Sequence, residues 1–161
     1  MTTTLTPTIG RPAPDFTLPS TQGDSVTLKS FKGKKTVVLY FYPKDESAGC
    51  TREACDIRDH FAELEQHGVV VLGISTDAMD THMKFKEKHK LPFTLLSDEQ
   101  AEVSKMYGVY KQKNVYGKKS LGIERTTFII DKTGRIATIY PKVKVEGHIE
   151  DLLSFVGEEE E

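Results

Sequence analysis

The sequence has little cysteine, almost no net charge and no long apolar run, and each shortage excludes a class of protein. Two cysteines in 161 residues cannot form the disulfide framework of a small secreted domain, and they are more typical of catalysis or redox sensing. A net charge of −2 gives no electrostatic reason to expect nucleic acid or an anionic membrane as a partner. No apolar run reaches the roughly 18 residues that a membrane-spanning helix needs.

Length and composition predict a single domain, which we place at residues 1–157. A chain of 161 residues has the length of one domain and can bury a sizeable core. Its 37% hydrophobic and 29% charged residues are ordinary for a soluble globular protein. The acidic run 158–161 is predicted to be a disordered tail. Because the first residues, MTTTLTPTIG, lack the basic start and apolar core of a secretory signal, we expect a cytoplasmic location.

Hydrophobic patterning predicts strands that alternate with helices, followed by a β-hairpin and a closing helix. This order indicates a layered α/β protein. The lysine-rich stretch 105–119 is predicted to be a solvated loop. The predicted elements are a small hairpin at 15–18 and 25–28, strands at 36–42, 69–75 and 92–96, helices at 50–66, 78–88 and 101–107, a hairpin at 126–131 and 136–140, and a helix at 148–156.

Cys50 lies where a predicted strand gives way to a predicted helix. The preceding run TVVLYFY, residues 36–42, is β-branched and aromatic, as expected of a strand buried on both faces. Cys50 therefore falls near a helix N-terminus, where free backbone N–H groups and the positive end of the helix dipole favour a thiolate over a thiol. The position predicts a nucleophile.

The second cysteine, Cys55, lies five residues after the first. In an intact helix, residues at this spacing are separated by about 7.5 Å along the axis and point roughly 140° apart. A disulfide needs Cα atoms within about 7 Å of each other. If Cys50 and Cys55 bond, the first turns of the helix must unwind, so oxidation is expected to be coupled to local unfolding.

The residues around Cys50 resemble a known family. Pro43, Ser47 and Cys50 stand in the Pro-x-x-x-Thr/Ser-x-x-Cys arrangement of peroxiredoxins, and the run FYPKD…GCTREAC resembles the bacterioferritin comigratory protein, or Q-type, branch. Ala48 departs from this branch, which commonly has proline there. The absence of proline is expected to loosen the active site or to change how readily the helix unwinds. The likeness covers almost the whole chain, through RPAPDFTLPSTQGDSVTL at 11–28, VLGISTD at 71–77, PFTLLSD at 92–98 and YGKKSLGIERTTFIIDKTGRI at 116–136.

The resemblance implies a fold and an activity. The fold is a thioredoxin-like three-layer α/β/α fold with a central mixed sheet and an N-terminal hairpin, in which the cysteine helix lies near the strand carrying Arg125. The activity is a thiol peroxidase that reduces hydrogen peroxide and organic hydroperoxides. Cys50 would attack the peroxide and become a sulfenic acid. Cys55 would resolve it to an intramolecular disulfide that thioredoxin or a similar dithiol reduces.

The resemblance also implies roles for three other residues. Ser47 would hydrogen-bond the peroxide, Pro43 would shield the thiolate from water, and Arg125 would support the thiolate and the polarised oxygens, since a guanidinium stays charged and presents several donors. No metal or other cofactor is implied, and we expect a monomer or weak dimer. Peroxides and a dithiol reductant are the expected partners, with no nucleic acid and no membrane.

Simpler interpretations exist for each of these residues. A cysteine is often inert core, Ser47 is suited to cap a helix, Pro43 to end a strand, and Arg125 to form a surface ion pair. Glu53 would either pair with an arginine or merely occupy the first helical turn, where carboxylates are favoured. It is left outside the predicted catalytic set.

Two other functions fit a cysteine pair. One is a redox-sensing binding module whose helix unwinds on oxidation; such a sensor reacts once, whereas an enzyme turns over. The other is a thioredoxin-like disulfide reductase, but that chemistry usually has two residues between its cysteines rather than four. The histidine pairs His60/His67 and His82/His89 lack metal-ligand spacing with the cysteines, so they are interpreted as parts of solvated helix faces.

Overall fold

A five-stranded mixed sheet forms the centre of the computed structural model, which describes residues 7–115 and 117–159. Its spatial order is β5-β4-β3-β8-β9; β3, β4, β5 and β9 run in the same direction, and β8 runs antiparallel to them. The strands are β1 (Thr17–Leu18), β2 (Val26–Thr27), β3 (Thr36–Phe41), β4 (Val69–Ser75), β5 (Thr94–Ser97), β6 (Tyr110–Val115), β7 (Lys118–Ile123), β8 (Thr126–Ile130) and β9 (Ile136–Tyr140). The α-helices are α1 (Ala48–Asp59), α2 (Phe61–Gln66), α3 (Met79–His89), α4 (Glu102–Met106) and α5 (His148–Glu159).

Both faces of the sheet are covered, as the apolar run of β3 predicts. Side chains alternate across a strand, so Val37 and Leu39 point into one core while Val38 and Tyr40 point into the other. The first core packs against the hairpin β1–β2 and helix α4. The second packs against α1, α2, α3 and α5. The predicted three-layer fold with a central mixed sheet and an N-terminal hairpin is confirmed.

Two predicted elements differ from the structure. The helix predicted at 50–66 breaks at His60, whose φ of −117° leaves the helical range, so α1 and α2 are separate helices. The prediction of a solvated loop at 105–119 is wrong, because β6 and β7 form an antiparallel hairpin there. Its strand pairing begins at Tyr110 and Ile123 and continues to the turn. Adjacent exposed lysines lie on opposite faces of β7, so the sequence there lacks the alternation of apolar and polar residues that identifies a strand.

Helix α5 continues to Glu159, beyond its predicted end at Val156. Residues 160 and 161 of the predicted tail lie outside the described residues, and the division at 157/158 stays a prediction. In the part of the chain that the structure describes, no helix has the length and apolarity to cross a bilayer.

Candidate active site

Cys50 occupies the first turn of α1, as predicted. Ser47 is the N-cap of this helix, and its Oγ accepts a hydrogen bond from the Cys50 backbone N–H at 3.4 Å. The Ser47 hydroxyl also donates to the Lys44 carbonyl at 3.2 Å. The Cys50 side chain is buried, with only 1% of its surface exposed, while Pro43 is half-buried in the loop between β3 and α1. The cysteine is thus shielded from solvent just after the loop that carries Pro43 and Ser47.

Arg125 reaches Cys50 from the other side of the site. It immediately precedes β8, and the pairing of Thr126 with Phe41 places it beside the end of β3. Its Nη2 donates to the Cys50 Sγ at 3.2 Å. Gly49 leaves the room for this contact, because a Cβ there would lie 3.1 Å from Arg125 Nη2. With 16% of its side chain exposed, Arg125 is not a surface ion-pair residue.

Glu53 completes a row of three interacting groups. Arg125 Nη1 donates to Glu53 Oε1 at 2.7 Å, so the guanidinium bridges a carboxyl group and the Cys50 sulfur. Burial acts to lower the pKa of Arg125, but Glu53 and Cys50 outweigh it and raise that pKa above its ordinary value. The guanidinium is therefore a fixed positive charge beside the sulfur.

Glu53 is the member of this cluster that the sequence interpretation left outside the predicted catalytic set. It is 2% exposed, and its Oε2 has no hydrogen-bond partner among the described residues. Burial raises the pKa of Glu53 to about 7, against the lowering effect of Arg125. Its position three residues after Cys50 on one helix face was the available signal. A buried carboxyl group is rare without a partner, so the Arg125 contact explains why it is there.

Glu53 is expected to make folding stability fall as pH rises. Between the ordinary pKa of 4.5 and the folded pKa of about 7, the folded protein keeps a proton that the unfolded chain releases. Its stabilising contribution is full below about pH 4.5 and is lost as pH rises through about 7. Glu53→Gln should flatten this dependence in urea unfolding measured across that range. Glu63→Gln, at an exposed position on α2, should not; equal slopes in all three proteins would contradict the prediction.

Cys55 lies apart from this group on the same helix. It is half-buried, and both thiols are free. It lies beside His89 at the end of α3, with 4.0 Å between Cys55 Sγ and His89 Nδ1. The structure therefore brings Cys50, Ser47 and Arg125 together and leaves Cys55 outside.

A second buried network holds the loop before α1. Asp45 accepts a hydrogen bond from the Tyr42 hydroxyl at 2.6 Å and contacts His82 Nδ1 at 2.7 Å, while its backbone N–H donates to Asp77 at 2.7 Å. His82 Nε2 meets the Leu96 carbonyl at 3.0 Å. Asp45, Asp77 and His82 each have one atom of a type that binds metal ions, and these atoms lie within 4.8 Å of one another. The hydrogen bonds of the network already use these side chains. The network anchors the loop to α3 and β5.

The prediction that His82 lies on a solvated helix face is wrong, because its side chain is fully buried. The available signal was Phe85, which lies three residues later on the same helix face and is also fully buried. A histidine on that face needs hydrogen-bond partners at both ring nitrogens, and Asp45 and Leu96 provide them.

A thiol at a helix start, held by an arginine from a neighbouring strand, agrees with what comparison with known proteins finds. A family model described as the AhpC/TSA family matches residues 9–139. The chain belongs to the AhpC/TSA family. A putative peroxiredoxin Bcp of Coxiella burnetii is 54% identical over 90% of this chain and 95% of its own length. Peroxiredoxin Bcp of Bacillus subtilis is 46% identical over 92% and 94%.

Solved structures of the same family superpose closely. A PrxQ mutant of Xylella fastidiosa has a TM-score of 0.90 at 33% identity, over 96% of this chain and 98% of that one. The bacterioferritin comigratory protein of Xanthomonas campestris has a TM-score of 0.86 at 35% identity, over 91% and 92%. The predicted resemblance to the Bcp, or Q-type, branch of the peroxiredoxins is confirmed. This peroxiredoxin is a thiol peroxidase, which takes a peroxide as substrate and a thiol as reductant.

Proposed function

We propose that this peroxiredoxin reduces hydrogen peroxide and organic hydroperoxides at Cys50, with Cys55 as the resolving thiol and thioredoxin or a similar dithiol as the reductant. The observation that carries the proposal is the 3.2 Å contact from Arg125 Nη2 to Cys50 Sγ, at the N-terminus of α1. Activity on organic hydroperoxides is supported by the Xanthomonas campestris relative, whose structure is described in terms of its alkyl peroxide reduction activity.

The first step is attack of the Cys50 thiolate on one peroxide oxygen. A sulfur–oxygen bond forms, the oxygen–oxygen bond breaks, and the leaving oxygen takes a proton to become water or an alcohol. Arg125 and the free N–H groups of the first turn of α1 provide positive charge and donors where negative charge develops. Ser47 turns its hydroxyl from the Lys44 carbonyl to the peroxide, and Pro43 shields the sulfur from water.

The second step joins the two cysteines of one chain. Both lie in α1, and helix geometry separates and opposes their side chains. The N-terminal turns of α1 therefore unwind before a disulfide forms. Reduction by the external dithiol then restores both thiols and lets the helix re-form.

Mass spectrometry after one equivalent of peroxide tests both roles. We expect the wild-type chain to lose two hydrogens through a Cys50–Cys55 bridge, and a Cys55→Ser chain to gain one oxygen atom as the sulfenic acid at Cys50. Wild-type protein that keeps both thiols under peroxide would overturn the proposal, and a bridge between two chains would overturn intramolecular resolution. The monomeric or weakly dimeric state and the cytoplasmic location stay predictions.

A further inference from the structure

A second group of reactive side chains surrounds Cys55. His89 Nδ1 lies 4.0 Å from Cys55 Sγ, and on the other side of the ring His89 Nε2 lies 3.9 Å from Glu46 Oε2. The Nε2 atom is buried and makes no hydrogen bond to any described residue. Glu46 belongs to the loop before α1, Cys55 to α1 and His89 to α3, so three elements of the fold meet at this imidazole.

The imidazole is held in place from several directions. Its ring meets the edge of the Phe85 ring, with centroids 5.1 Å apart and planes at 72°. Arg58 Nη1 donates to the His89 carbonyl at 2.7 Å and so ties the last turn of α1 to the end of α3. Only 17% of the His89 side chain is exposed. A ring fixed in this way keeps Nδ1 directed at the thiol.

The two contacts of the ring favour one position for its proton. If Nδ1 accepts the Cys55 S–H, the neutral imidazole carries its hydrogen on Nε2, which faces the Glu46 carboxylate. When the ring takes the thiol proton, Nε2–H and Glu46 form an ion pair. Nucleophile, base and orienting carboxylate in this order constitute the arrangement that activates nucleophiles in many unrelated enzymes.

We propose that His89 is the general base of the resolving step, oriented by Glu46, and this rests on the proposed function. His89 Nδ1 takes the proton of the Cys55 thiol. The Cys55 thiolate attacks the sulfur of the Cys50 sulfenic acid, the sulfur–sulfur bond forms and the sulfur–oxygen bond breaks. The leaving hydroxide takes one proton and departs as water. The Arg58–His89 bond holds Cys55 beside its base, so Cys50 and the N-terminal turns of α1 make the movement.

Charged groups from each neighbouring element set the pH dependence of this step. Glu46 faces His89 from the loop and is itself paired with Lys88 at 3.1 Å. Arg58 of α1 is attracted to Cys55; the pKa of Arg58 is raised first by its hydrogen bond to Asp59 and further by this attraction. Arg58 thus favours the thiolate form of Cys55, and a general base acts only in its unprotonated form. Resolution should slow as the medium becomes acidic.

Alkylation of Cys55 tests the base without any peroxide chemistry. In a Cys50→Ser background, His89→Gln is expected to lower the rate of iodoacetamide reaction at about pH 7 by roughly tenfold or more. The matched control is His60→Gln, since His60 contacts the Asp56 carbonyl rather than a thiol, and its rate should not change. Glu46→Gln should give a smaller loss. An unchanged rate in His89→Gln would overturn the proposal.

The pH profile separates a base from a merely structural histidine. In alkaline medium hydroxide can deprotonate a thiol without the help of a base, so the deficit of His89→Gln should shrink as pH rises. Added imidazole should restore part of the rate in His89→Ala. A deficit that is constant across pH and unaffected by imidazole would show a packing role and overturn the proposal.

Single-turnover kinetics connect the base to catalysis. In the chain with both cysteines, His89→Gln should leave the rate of Cys50 oxidation within about twofold while disulfide formation slows by roughly tenfold. Equal slowing of both steps would overturn the proposal. If wild-type Cys50 is not oxidised by peroxide, the proposed function fails, whereas the alkylation result still reports on the Cys55–His89 pair.

Discussion

Peroxide turnover is expected to fall to the uncatalysed background when Cys50 is replaced by serine. The Cys50 sulfur receives the Arg125 hydrogen bond at 3.2 Å and lies in the first turn of α1, where a thiolate is stabilised. A serine hydroxyl in the same place stays un-ionised near neutral pH and is a weak nucleophile without a base. Peroxide consumption in the presence of thioredoxin or dithiothreitol measures the loss.

Cys55→Ser is the matched control for this substitution. It makes the same sulfur-to-oxygen change on the same helix, yet it leaves Cys50 and Arg125 untouched. We expect it to reduce one peroxide per chain with thioredoxin and then stop. Wild-type protein that also stops after one turnover would favour the redox-sensing module over the enzyme. Sustained peroxide consumption by the Cys50→Ser protein would contradict the assignment of the nucleophile.

Arg125→Ala is expected to slow the reaction with peroxide by roughly a hundredfold to a thousandfold, the usual effect of removing one preorganised donor from a developing negative charge. The substitution removes the cation that lies beside the Cys50 sulfur. It also removes the hydrogen-bond donor of the buried Glu53 carboxyl group, so the free energy of unfolding should fall by about 1–3 kcal/mol. Stopped-flow kinetics with peroxide and urea unfolding measure the two losses separately.

Two further variants show which property of Arg125 is needed. Arg52→Ala removes a mostly exposed arginine of α1, whose Nε lies 3.9 Å from Asp56 Oδ2, and it should change neither measurement by much. Arg125→Lys keeps the charge but cannot donate to Cys50 and Glu53 with one rigid fork, so it should recover only part of the rate. Full activity in Arg125→Ala would contradict the proposed role.

The position of Cys50 near a helix start could be predicted from local sequence. An apolar β-branched run ends just before Cys50 and a helical pattern starts there, and both signals depend only on residues within a few turns. The structure places Cys50 at that helix start, capped by Ser47. The spacing of Cys55 on the same helix could be predicted for the same reason.

Contacts between distant segments could not be predicted in this way. Arg125 is 75 residues from Cys50, and the pairing of β3 with β8 that joins them is a property of the whole sheet; only the family resemblance pointed to it. His82 and His89 were misinterpreted because a short charged helix such as α3 gives a weak periodic signal. The partners of both histidines come from other parts of the chain.

Because both cysteines lie in α1, the stability of this helix would also affect the reduction potential of the proposed Cys50–Cys55 disulfide. Every 1.4 kcal/mol of free energy needed to unwind the helix destabilises the disulfide and makes its reduction potential more oxidising by about 30 mV. Ala48 is the exposed first residue of α1, a position that suits the proline common in this branch. Compared with proline, alanine has more conformational entropy in the unwound segment, which lowers the free energy of unwinding by about 0.4–1 kcal/mol. This chain should therefore have a more reducing disulfide potential than an otherwise identical chain with proline there.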